Sequence, residues 1–191
     1  VSEEPAGDFW RLLTSNPHIE PLLRQVREME IPDCWLASGC LVQTVWNARH
    51  GFAPTFGIKD YDLIYFDPDT SWAKENAMIG RIGGCFKDLN IEIEIRNQAR
   101  VPLWYRDKFG IDYPTLTEAC QSLDYYPSQT SAVAVQLDGE DQPVFRAPFG
   151  LSLALDMIVR PNKALPISEV YAAKARQWQS NWPKLRVEAW E

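Results

Sequence analysis

The nine residues KDYDLIYFD, positions 59–67, leave little freedom of local structure. Asp60 and Asp62 stand two apart, so in a strand both leave the same face. Leu63, Ile64, Tyr65 and Phe66 follow at once and tie that strand to a core. A second segment, NIEIEIRNQ at 90–98, alternates strictly: Ile91, Ile93 and Ile95 against Glu92, Glu94 and Arg96. Each segment has an ordinary reading as the polar face of an amphipathic strand, with Lys59 softening the aspartate repulsion. Together they demand a sheet with a crowded acidic face.

The surrounding sequence predicts what builds on that sheet. SNPHIEPLLRQVREME (15–30) reads as a helix, with Asn16 as cap, Pro17 in the first turn, and Ile19, Leu22, Leu23 and Val26 as one stripe. Cys34, Trp35 and Leu36 suit a short buried strand that Gly39 breaks. Leu41, Val42, Val45 and Trp46 then resume at helical spacing until Gly51 ends the helix. A helix from about Trp72 frays at Gly83 and Gly84. Beyond Arg100 the pattern predicts a short helix closed by Gly110, and a helix over TLTEACQSL with Thr115 and Glu118 in capping-box spacing. It also predicts a hairpin turning near Asp138–Gly139, and helices over Ser152–Val159 and Ser168–Trp178. The expectation is an α/β (α+β) fold: a short mixed sheet with flanking helices over about 15–100 and an α+β extension over about 101–191, all one domain.

Bulk properties exclude several classes. The 191 residues are 46% hydrophobic and 24% charged, ordinary for a globular protein. A net charge of −7 argues against long DNA or RNA as main partner. No apolar run approaches the ~20 residues that span a bilayer, and the first residues carry no secretory signal pattern, so a cytoplasmic location is expected. The four cysteines form no C-x-x-C pair, and the two histidines cannot supply a His-rich site. A metal would therefore be held by oxygen ligands, which points to Mg2+ or Mn2+.

Asp60, Asp62 and one glutamate of the third strand, converging on one face beside a strand–glycine–helix turn, would destabilise one another unless a cation intervened. With the segments ASGCLVQTVWN, KDYDLIYFD, EIRNQARVPLWY, APFGL and VRPN, this arrangement resembles the DNA polymerase β-type nucleotidyltransferase superfamily. More closely, it resembles a bacterial nucleotidyltransferase-like family without a settled substrate. The resemblance spans about Leu36–Asn162. It implies that Asp60 and Asp62 are paired metal ligands, that Glu94 is the third acid with Glu92 as rival, and that Gly39 marks the phosphate-holding turn flanked by Ser38 and Cys40. The family usually has Ser or Gly where Cys40 stands. The spacing from Gly39 to Asp60 is longer than usual, so ARHGFAPTFGIK (48–59) is an inserted loop.

Arg96, Asn97 and Gln98 are candidates for gripping phosphate or reading a base or hydroxyl edge. Arg96 suits an ion pair with Glu92 or Glu94 equally well. Arg160 and Lys163, in RPNK, are a further possible phosphate contact, with a solvated turn the simpler explanation. Tryptophans at helical spacing are read as core. The implied activity is Mg2+-dependent transfer of a nucleoside monophosphate from an NTP to an acceptor hydroxyl. A non-catalytic nucleotide-binding module and a metal-dependent phosphohydrolase are the alternatives.

Overall fold

A computed structural model of the chain describes residues 3–87 and 91–191. Its centre is a five-stranded mixed sheet of order β3-β2-β1-β4-β5. The strands are β1 (Trp35–Ala37), β2 (Asp60–Tyr65), β3 (Glu92–Asn97), β4 (Ala134–Leu137) and β5 (Pro143–Arg146). Asn90, counted in the expected third strand, lies outside the described residues. Only β2 and β3 run parallel; the other neighbours are antiparallel. Parallel neighbours need a crossover, and α4 (Trp72–Cys85) supplies it.

The period-two pattern sorts the sheet into two faces. Tyr61, Leu63, Tyr65 and Ile95 join Leu36 in the main core, against Phe9 and Leu13 of α1 (Glu3–Leu13) and the apolar stripe of α2 (Ile19–Glu28). Leu41, Val45 and Trp46 of α3 (Gly39–His50) and Trp178 of α7 (Ser168–Asn181) complete it. On the opposite face Trp35, Ala37, Ile64, Ala132 and Ala134 pack under Ala119 and Leu123. No helix of the described residues is long and apolar enough to cross a membrane.

Several expectations need correction. Asn16 does not cap α2, which begins at Ile19. Its carbonyl oxygen accepts from the His18 N–H, while its buried amide donates to Thr44 Oγ1 at 3.0 Å and Tyr61 Oη at 3.1 Å. A three-way buried hydrogen-bond hub outweighs a cap. Helix α1 was not anticipated. TLTEACQSL forms no capping box: Glu118 is extended (φ −150°, ψ 159°), and only a 3-10 segment, Ala119–Tyr125, follows. Its first N–H, that of Ala119, is satisfied by Asp33 Oδ2 instead. The helix expected over Ser152–Val159 stops at Leu155 (α6, Ser152–Leu155). Met157 takes a positive φ of 56°, and Ile158–Val159 becomes β6, parallel to β7 (Arg186–Val187). The helix expected to fray at Gly83 and Gly84 runs through both to Cys85, whereas Gly51 and Gly110 close α3 and α5 (Val101–Phe109) as expected, in the left-handed conformation with φ 73° and 70°.

The inserted loop lies along α3 and α7. Asn47 Nδ2 donates to the carbonyls of Pro54 and Phe56, and Asn47 Oδ1 accepts from Trp182 Nε1 at 2.7 Å. None of its residues lines the cleft described below.

Candidate active site

β1 ends where α3 begins, and the join is tight. Ser38, not Gly39, carries the unusual backbone, with φ 63° and ψ −126°, a region that glycine tolerates and serine rarely enters. The conformation is pinned by Ser38 N–H donating to Val133 O at 2.8 Å. The Ser38 side chain makes no cap to its own helix. The start of α3 carries no acidic residue in its first turn, so none of its own side chains offsets the positive end of the helix dipole. At Gly39 an added Cβ would meet only the end of the Gln43 side chain, Nε2 at 3.2 Å.

Strand register sets the acids. Ala37 at the end of β1 pairs with Asp62, Asp62 with Glu94, and Asp60 with Glu92. All four carboxylates therefore lie on one face beside the Ser38–Gly39 turn. Burial and the repulsion of Asp60 and Glu94 push the Asp62 carboxyl up to about 6, while Lys174 and Arg96 pull it down. Glu94 faces Asp62 across the strands and acts on its charge; Glu92 is exposed and level with Asp60. Beneath them the buried Cys40 thiol is held well above the usual thiol range by desolvation and by Asp62. Cys40 can offer a ligand only its backbone N–H.

Among the described residues, no group of three or more His, Cys, Asp or Glu side chains is gathered to hold a metal ion. Glu94 Oε2 pairs with Arg96 Nη2 at 3.2 Å. This is one of the two roles foreseen for Arg96. The donors fit a hard divalent cation in type and in register.

The other candidates divide. Gln98 lines the cleft next to Asp62, with its Nε2 donating to Arg96 O. Asn97 does not line the cleft: its oxygen accepts from Asp67 N–H and Ala99 N–H, and its amide donates to Asp67 O. That buried side chain ties the β2–α4 loop to the end of β3. Arg160 and Lys163 lie apart from the acids. Arg160 is gripped by Glu188 through Nε–Oε2 at 2.6 Å and Nη2–Oε1 at 2.8 Å, and Lys163 donates to Glu191 O. Both line a separate surface depression.

Two features went unnoticed in the sequence. Lys174 of α7 reaches the cleft and acts on Asp62. Its (i, i+4) relation to cleft-lining Val170 was visible, but not the direction in which that face points. Aromatic side chains from α5 and from Tyr113, Tyr125 and Tyr126 wall the cleft, whose volume is about 290 Å³. The DYYP run at 124–127 was the available signal.

Comparison with known proteins fits this geometry. The sequence model of a family described as nucleotidyltransferase matches residues 24–187. A solved structure described as an NMR structure revealing a CCA-adding enzyme head domain superposes with a TM-score of 0.77 at 23% identity, covering 96% of this chain and 95% of that one. That likeness is one of fold. A search of curated proteins finds no match. The paired aspartates, the helix turn above them and the family match over most of the sequence converge: the chain belongs to a nucleotidyltransferase family.

Proposed function

We propose that the protein transfers a nucleoside monophosphate from an NTP to an acceptor hydroxyl, releasing pyrophosphate, with Asp60, Asp62 and Glu94 as the ligands of Mg2+ or Mn2+. One observation carries the reading: Asp62 and Glu94 stand level on adjacent strands, and burial together with the repulsion of Asp60 and Glu94 lifts the Asp62 carboxyl to about 6. A bound divalent cation supplies charge neutralisation at the phosphates and a lowered pKa at the acceptor hydroxyl.

The protein's own groups do the rest. The N–H groups at the start of α3, with the Ser38 hydroxyl, hold the β- and γ-phosphates. Arg96 and Lys174 at the cleft offset the charge that builds on the leaving pyrophosphate. The acceptor oxygen attacks the α-phosphorus in line, the bond to the β-phosphate oxygen breaks, and Glu94 accepts the acceptor's proton. Glu94 is preferred to Glu92 because it faces Asp62 in register. The net charge of −7 favours a small or compact acceptor over a long phosphate chain.

The Glu94–Arg96 pair favours a second reading, a nucleotide-binding module without turnover, because it gives the third acid a cationic partner within the chain. Incubation with α-labelled NTP, Mg2+ and cell extract separates the readings. Transfer of label to an acceptor with stoichiometric pyrophosphate is the expected result. Free NMP alone would identify a hydrolase, and tight binding with no product would establish the inert module.

A further inference from the structure

The recess beside Asp62 has a composition that phosphate transfer alone does not explain. Phosphate and metal groups need polar walls, yet the inner recess is walled by Trp104, Tyr105 and Phe109 of α5 together with Tyr113, Tyr125 and Tyr126. These rings are already ordered against each other. Tyr105 stands 4.6 Å from Tyr113 and 4.6 Å from Phe109 between centroids, and Tyr113 stands 5.3 Å from Tyr125. Desolvation raises the Tyr105 and Tyr113 hydroxyls above the usual phenol range, so they stay neutral. The cations, Arg96 and Lys174, share the cleft with Ser38 and Asp62.

We propose that this recess is the nucleobase site, in which the base of the incoming NTP stacks on the exposed indole of Trp104 and the tyrosine wall while its triphosphate extends to the Ser38–Gly39 turn. The proposal rests on the nucleotidyltransferase reading above. Connectivity chooses the base over the acceptor. On the transferase reading the triphosphate is anchored at the turn and the acids, so whatever is covalently joined to it must occupy the space that opens from Asp62. At about 290 Å³ the cleft as a whole, its Ser38 and Asp62 end included, sits near the lower end of the ~300–1,000 Å³ of small-molecule sites. Between the rings stand Gln98, Ser131 and the tyrosine hydroxyls, donors and acceptors that can read a base edge. Every base has a π-face, so such a wall tolerates base identity and favours larger rings.

Titration calorimetry of the full chain in MgCl2 with ATP, CTP and inorganic tripolyphosphate tests the assignment. Wild-type protein should bind ATP at least ~10-fold more tightly than tripolyphosphate, with CTP between them. Trp104 is 40% exposed, so Trp104→Ala keeps the fold; it should remove most of the ATP advantage and leave tripolyphosphate affinity unchanged. Equal affinity of the wild type for ATP and tripolyphosphate would overturn the base site while leaving phosphate binding and transfer standing. An ATP advantage that survives intact in Trp104→Ala and in a Trp104→Ala/Tyr126→Leu double variant would overturn it as well. Absence of binding by all three probes would sink the transferase reading itself, together with this proposal.

Discussion

Asp62 concentrates the chemistry and the stability cost of the site in one carboxyl. Its folded value, about 6, lies above the ordinary 3.8, so the folded metal-free chain holds that proton more readily than the unfolded one. The penalty is full above pH ~6 and disappears as pH falls towards ~4. Asp62→Asn should therefore raise stability in EDTA at pH 7.5 by about 2 kcal/mol and abolish transfer. Thermal melts across pH 4.5–7.5 check this, and the gap between variant and wild type should narrow at low pH. Added Mg2+ should stabilise the wild type more at pH 7.5 than at pH 5, because protons and cation compete for one carboxyl. Ser38 offers a second test. Its φ of 63° costs ~1–3 kcal/mol for a residue with a Cβ, so Ser38→Gly should gain about 1 kcal/mol in denaturant melts while weakening NTP binding through the lost hydroxyl. The acidic pair was legible from spacing alone. The strain was not: the sequence drew attention to Gly39, and the backbone placed the burden one residue earlier because Ser38 must also donate to Val133 O.

At the level of elements, joints matter more than spans. Glu75 of α4 accepts from Asn97 N–H at 3.0 Å and pairs with Arg100 at 2.8 Å, with side-chain exposures of 7% and 16%. Arg100 also stacks over Trp72, 5.5 Å from the ring centroid, and donates to Thr70 O. This buried pair fixes the crossover helix to the end of β3 and so holds Glu94 and Arg96 in register. Arg100→Met leaves a carboxylate buried without its partner and should cost about 3 kcal/mol, read by urea denaturation. The inserted loop has its own joint at Gly57, where φ is 71° and an added Cβ would come within 2.9 Å of Trp182 Cη2. Gly57→Ala should therefore destabilise by about 2 kcal/mol. Gly51→Ala, with a similar φ and open space, should cost only about 1 kcal/mol. Helix and strand periods predicted the spans of α3, α4, β2 and β3. The failed capping box at Thr115–Glu118 shows what local pattern misses: Asp33, remote in sequence, satisfies the Ala119 N–H, so a competing tertiary bond replaced the cap.

Across the whole molecule, the sheet draws strands from both sides of residue 100. β4 and β5 extend the same five strands, and β4 pairs directly with β1. The site depends on that pairing, because Val133 pins Ser38 while α5, Tyr126 and Lys174 complete the cleft. A fragment of residues 1–100 should therefore remain unfolded, with far-UV dichroism and amide proton shifts of a disordered chain, whereas the full chain melts cooperatively. The sequence by itself determined the faces: a period of two commits Asp60 and Asp62 to one side of their strand, and Glu92 and Glu94 to one side of theirs, because side-chain alternation is a property of the extended backbone. Only the tertiary structure decided the register that sets Glu94 beside Asp62, the withdrawal of Asn97 and Arg160 into other bonds, and the arrival of Lys174 and the aromatic wall. Those outcomes depend on which distant surfaces meet when the core closes, and no local period encodes that.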